Sequence, residues 1–121
     1  MPEHHVRAIR GATTVERDED ELIRAATREL LEEMVRRNAV ETDDLISILF
    51  TVTADLRAEF PARAARDLSW DDVPLLCTVE IPVPGALPRC VRVLMHVESA
   101  LPRDRIRHVY LGAARALRPD L

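Results

Sequence analysis

The 121-residue chain contains no lysine, and its only aromatic residues are Phe50, Phe60, Trp70 and Tyr110. Its longest apolar runs, Leu45 to Val52 and Val91 to Val97, are strand-length and broken by polar residues, so no segment has the length needed to span a bilayer. No apolar stretch followed by a small-residue cleavage site opens the chain, so no secretory signal is expected and the cytoplasm is the expected compartment. The two cysteines, Cys77 and Cys90, match no zinc spacing; they admit a disulfide, but in this context buried free thiols are expected. The histidines His4, His5, His96 and His108 give no ligand spacing either. Also missing are a phosphate loop, a GxGxxG turn and a nucleophile elbow around Ser47, Ser69 or Ser99. No hydrolase or metalloenzyme machinery can be read, and neither a cofactor nor a metal is expected.

What the chain does have is 17 arginines against 21 acidic residues, 47% apolar residues and a net charge of −4. Its length fits one domain over residues 1–121, able to bury roughly 65% of its unfolded surface. The acidic balance argues against a nucleic-acid partner, which selects for a basic face. Charge is unevenly spread: residues 1–72 hold 10 arginines and 17 acids, whereas residues 73–121 hold 7 and 4. The C-terminal part is therefore the better place to meet an anion. Coding bias accounts for most of an arginine set without lysine.

Val6 to Ala12 reads as a first strand. Asp18 and Glu21 have capping-box spacing, with Glu19 and Asp20 adding negative charge where a helix dipole favours it. Leu22, Ile23, Ala26, Leu30, Leu31, Met34 and Val35 then recur at helical spacing, and Asn38 is a natural stop. Asp44 to Thr53 reads as a buried strand, and Phe60-Pro61 as the start of a short helix to about Leu68. Val73 to Val83 reads as a strand running into the proline-rich turn before Arg89. From Arg89 to Val97 the pattern alternates, with Val91, Val93, Met95 and Val97 on one face and Cys90, Arg92, Leu94 and His96 on the other. Ile106 to Leu111 is a last short strand. This order predicts an α+β domain: one sheet packed against a long helix and a short one.

Some charged residues are placed oddly within strands. Arg10 closes the first strand before Gly11, Arg92 lies mid-strand, and Glu80 interrupts the run from Val79 to Ile81. Tyr110 follows Arg105 and Arg107. A guanidinium in such a place must reach solvent or meet a carboxylate, because an unpaired buried charge costs several kcal/mol. An Arg92–Glu80 ion pair and a set of surface-edge residues are both compatible with the pattern. Strict alternation from Cys77 puts Glu80 on the opposite face. A bulge, the strand's end, or approach to a site from two directions would reconcile the two.

The segment Arg10-Gly11-Ala12-Thr13-Thr14-Val15-Glu16-Arg17-Asp18 resembles the N-terminal signature of the AroH-class, monofunctional chorismate mutases. Further blocks agree in order: Thr53-Ala54-Asp55-Leu56 with Phe60-Pro61-Ala62; Val73-Pro74-Leu75-Leu76-Cys77; Cys90-Val91-Arg92-Val93; and Arg107-His108-Val109-Tyr110-Leu111 with Leu117-Arg118-Pro119-Asp120-Leu121. The resemblance runs from about Arg7 to Leu121. It implies a mixed β-sheet subunit of a pseudo α/β-barrel homotrimer with active sites at the subunit interfaces. It also implies cofactor-free rearrangement of chorismate to prephenate in phenylalanine and tyrosine biosynthesis. The implied catalytic residues are Arg92, Glu80 and Arg10. The implied substrate-binding residues are Arg10, Leu76, Cys77, Thr78, Val79, Glu80, Arg92, Tyr110, Phe60, Arg63 and Arg66. Leu76 stands where relatives often carry threonine and Arg63 where lysine is common. The chain is one residue shorter between Ser69 and Trp70, and its end implies a shorter lid over the site. The alternative is a trimeric YjgF-like module that binds small carboxylates or processes imines.

Overall fold

The computed structural model describes residues 3–120. Strand β1 (His5–Thr14) leads into the long helix α1 (Asp20–Arg37), followed by strand β2 (Leu45–Val52) and the short helix α2 (Arg63–Asp67). Strands β3 (Leu75–Val79), β4 (Cys90–Ser99) and β5 (Val109–Tyr110) complete one mixed sheet in the order β3-β2-β4-β1-β5. Pairs β1–β4 and β2–β4 are antiparallel, while β2–β3 and β1–β5 are parallel. The expected α+β class and its two helices are present.

Alternation along the strands assigns the two faces of the sheet. Ile9, Phe50, Val93, Met95, Val97 and Val109 are buried together with Leu30, Leu31 and Met34 of α1. Gly11 lies at a tight approach of helix and sheet: a Cβ there would stand 2.6 Å from Met34 Sδ and 3.1 Å from Leu30 Cδ1. The opposite face carries Arg10, Leu49, Thr51, Arg92, Leu94 and Tyr110, which share one shallow groove. At one corner of that face Ala12, Cys90 and Ala114 are buried together, Ala114 coming from a 3-10 segment at Gly112–Leu117.

Several boundaries differ from the sequence reading. The helix N-cap is Glu19 without a side-chain cap, so Asp18 and Glu21 form no capping box. Asp18 instead accepts the backbone N–H groups of Arg57 and Ala58 at 2.8 and 2.9 Å, holding the loop before α2. Helix α2 starts at Arg63, and Pro61 sits in the preceding turn with its carbonyl accepting from Ala64 at 3.0 Å. Strand β3 begins at Leu75 and ends at Val79, short of the expected Val73 and Val83. Pro74 precedes it, and Pro82 and Pro84 further on lack the N–H that a ladder requires. Strand β5 is only Val109–Tyr110, its approach taken by a 3-10 turn at Arg103–Arg105. Asn38 does end α1: its side chain donates to the carbonyls of Met34 and Arg107, both at 2.8 Å, and accepts from Arg107 N–H at 2.7 Å.

Candidate active site

The predicted site residues fall into two groups on opposite sides of the edge strand β3. The first lies on the face of the sheet turned away from the helices. Antiparallel register places Arg10 opposite Leu94 and Arg92 opposite both Ala12 and Thr51. Parallel register on the other side of β2 sets Thr51 beside Thr78 and Leu49 beside Leu76. Strand β3 ends one residue before Glu80, but Glu80 N–H still donates to Val52 carbonyl at 2.8 Å, carrying the ladder one step further. Alternation therefore continues and sends the Glu80 side chain across Thr51 toward Arg92.

There Arg92 Nε lies 2.9 Å from Glu80 Oε1, so the ion pair that the sequence allowed is formed. Its side chains keep 47% and 27% of their exposure, so the pair is open to a ligand rather than sealed in a core. Thr51 Oγ1 donates to the same carboxylate oxygen at 2.9 Å. Arg10 and Tyr110 complete the lining of a groove of about 260 Å³. The Arg10 guanidinium has no ion-pair partner among the described residues. Its backbone N–H donates to Nδ1 of His108 at 2.9 Å, which fixes His108 as an acceptor on that nitrogen. Burial, with Arg10 and Arg118 nearby, holds the His108 imidazolium below its usual range. Arg118 itself pairs with Asp120 at 2.9 Å. Residue 121, which ends the last of the resembling blocks, lies outside the described residues.

The second group faces the helix side and the rim of the sheet. Cys77 pairs in register with the core residue Phe50 and packs on the main core. Phe60, Cys77, Thr78 and Val79 line a separate hollow of about 320 Å³, together with Leu56 and Pro61. Helix α2 carries Arg63 and Arg66 along this side. A two-pronged Asp67–Arg24 contact at 2.8 and 2.9 Å ties that helix to α1, and the hydrogen bonds from Arg24 keep the Asp67 carboxyl below its usual range. Arg63 lies 3.6 Å from Glu59, and Arg66 is close enough to Cys77 to influence its charge. Burial pushes the Cys77 thiol up, which keeps it protonated and a poor nucleophile at neutral pH. Both cysteines are free thiols, with Cys77 half-buried and Cys90 buried on the other face. Leu76, 61% exposed, points with Thr78 toward the first group's face.

One chain thus brings together Arg10, Glu80, Arg92 and Tyr110, and separately Phe60, Arg63, Arg66, Cys77 and Val79. Cys77 and Glu80 lie on opposite faces, where strict alternation puts them, with no bulge between them in the pairing. Sequence reasoning passed over Thr51, although its place on an alternating strand across from Arg92 was the available signal. It also gave His108 no role, although the residue stands within one of the resembling blocks. Among the described residues, no three or more His, Cys, Asp or Glu side chains are grouped to hold a metal ion, and no helix is long and apolar enough to cross a membrane.

Arginines and a carboxylate set in an open groove have the chemistry to grip a small carboxylate-bearing molecule. A family model for chorismate mutase type I matches residues 6–121. The chorismate mutase AroH of Thermus thermophilus is 53% identical over 117 residues, covering 96% of this chain and 96% of that protein. The chorismate mutase AroH of Bacillus subtilis is 49% identical over 117 residues, covering 96% of this chain and 92% of that protein. A solved chorismate mutase from Clostridium thermocellum superposes with a TM-score of 0.89 at 51% identity, covering 90% of this chain and 97% of that one. The chain belongs to the chorismate mutase type I family.

Proposed function

We propose that the chain is a cytoplasmic chorismate mutase, a single-domain subunit that converts chorismate to prephenate for phenylalanine and tyrosine synthesis. The observation that carries this reading, beside family membership, is the half-exposed Arg92–Glu80 pair sharing a groove with Arg10 and Tyr110. The reaction is a [3,3] rearrangement within one molecule. The bond to the ether oxygen breaks while a carbon–carbon bond forms, and no proton or nucleophile is required. A protein helps it in two ways: by holding the flexible dicarboxylate in its compact conformer, and by placing fixed positive charge where the ether oxygen gains electron density.

Arg92 is assigned to the ether oxygen and a neighbouring carboxylate, and Arg10 to a carboxylate through its forked guanidinium. Glu80 accepts the ring hydroxyl of the substrate and balances the arginines. Tyr110 and Cys77 orient the molecule, and Phe60, Leu76 and Val79 form its apolar wall. Thr78 flanks that wall, and Arg63 and Arg66 supply further positive charge from α2.

The two groups of residues serve one substrate if the first group of one subunit meets the second group of its neighbour, in a homotrimer with a site at each interface. Supporting this are large apolar side chains left exposed around the edge strand: Phe60 at 70%, Val79 at 60% and Ile81 at 79%. Apolar side chains concentrated beside an uncovered strand edge call for a covering partner. The deciding experiment follows chorismate absorbance with purified protein and no added cofactor. Loss of chorismate with prephenate appearing is expected. Unchanged chorismate across near-neutral pH overturns the reading in favour of a carboxylate-binding module.

A further inference from the structure

We propose that Thr51 is a positioning residue that orients the Glu80 carboxylate for the substrate hydroxyl. The inference rests on the chorismate mutase reading of the groove and assigns a role within it. Thr51 occupies the middle of this face. It is paired with Arg92 of β4 and with Thr78 of β3, two residues before Glu80. Its hydroxyl donates to Glu80 Oε1 at 2.9 Å. Arg92 supplies charge to the same oxygen at 2.9 Å. An ion pair alone leaves a carboxylate free to rotate about its terminal torsion, which has a broad preference. A hydroxyl held on a strand adds direction, and a hydrogen bond to a charged acceptor is among the stronger kinds.

The main chain takes part in this arrangement. Glu80 N–H is held by Val52 carbonyl at 2.8 Å, next to Thr51 in β2, so one strand fixes both the backbone and the carboxylate of Glu80. With Oε1 engaged by Thr51 and Arg92, Oε2 is the oxygen left to accept from a ligand. Arg92 meets this oxygen through Nε, which leaves its terminal guanidinium nitrogens for the substrate.

The test compares Thr51→Val, which keeps the shape but loses the hydroxyl, with Thr51→Ser, which keeps the hydroxyl. Thr51→Val should lower kcat about tenfold while KM changes by less than about threefold, because the lost contact matters most in the reactive geometry. Thr51→Ser should return kcat to within about twofold of the parent. In a Glu80→Ala background, adding Thr51→Val should cost nothing more, since its effect runs through that carboxylate. Melting temperatures of all variants check folding, and Thr51→Ala replaces Thr51→Val should the valine variant melt early. A hydroxyl-free variant with unimpaired kcat, a serine variant as slow as the valine one, or an unchanged penalty without Glu80 overturns the assignment. Parent protein that leaves chorismate unchanged overturns the function itself and Thr51's role with it.

Discussion

Arg92 and Glu80 form an ion pair, and pairs of this kind are common as structural features, so their exposure decides what this one contributes. With 47% and 27% of the two side chains accessible, solvent screens the attraction and its removal should cost at most about 1 kcal/mol of stability. Glu80→Ala is therefore expected to melt close to the parent while losing activity about a hundredfold. A large fall in melting temperature with loss of assembly would make the residue structural. Arg92→Lys keeps the charge but not the planar fork. Turnover should fall at least about a hundredfold, with a much smaller change in KM, because an ammonium cannot address the ether oxygen and a carboxylate together. Near-normal turnover in that variant would remove Arg92 from its assigned place. His108, bonded to the backbone of Arg10, answers to pH. Its Nδ1 accepts Arg10 N–H, so protonation of that nitrogen ends the contact, and burial with Arg10 and Arg118 further disfavours the charged ring. The folded-state pKa is thus below the unfolded one. Stability from this residue is complete above the ordinary histidine range near 6.5 and is lost as pH falls through the lower folded value. The urea midpoint of the parent should drop more between pH 7.5 and 5.5 than that of His108→Asn, which offers an acceptor that does not titrate. Equal drops would show that other groups govern the acid response.

Among the elements, α1 and β4 were the most legible, because each displays one strong period over many residues. The seven apolar positions from Leu22 to Val35 specify a helix face, and the valines and methionine of β4 specify a strand face, before any tertiary contact is considered. Strand β3 was read too long since its apolar character continues past Val79, while its pairing stops where the chain leaves β2 and the prolines begin. The 3-10 segments escaped notice because a turn of three to six residues has no period to read. Asn38 was legible as a stop and silent about its other task. Only 2% exposed, it joins the end of α1 to the backbone of Arg107, just before His108 and β5. Asn38→Ala would leave Arg107 N–H and two carbonyls without this partner in a partly buried place, and should cost about 2–4 kcal/mol in urea unfolding. A loss under about 1 kcal/mol would mean that water replaces the amide there. The composition of the candidate site came from ordered sequence blocks. Its division into two groups could not, since alternation assigns faces within a strand and does not say what approaches the sheet from outside.

For the molecule as a whole, that division is the central fact. A groove containing Arg10, Glu80 and Arg92 lies on one side of the edge strand, and a hollow containing Phe60, Cys77 and Val79 lies on the other. No side-chain rotation merges them, because β3 and its pairing to β2 stand between. In a cyclic assembly each interface is heterologous, so the two sides of a contact come from different surface patches. A first-group patch would then face a second-group patch of the next subunit at every interface. Two variants test this, Arg92→Ala damaging the first group and Arg66→Ala the second. Each alone should have little activity. When equal amounts are unfolded and refolded together, a site in the proposed trimer is intact wherever the undamaged first group of one subunit meets the undamaged second group of its neighbour. Random mixing makes this so at about a quarter of the interfaces, so activity should recover to about a quarter of the parent level. Refolding the variants apart and then combining them should restore nothing until subunits exchange. Activity that stays at the average of the two damaged proteins would mean that each chain builds its site alone, and the exposed apolar edge at β3 would need another explanation.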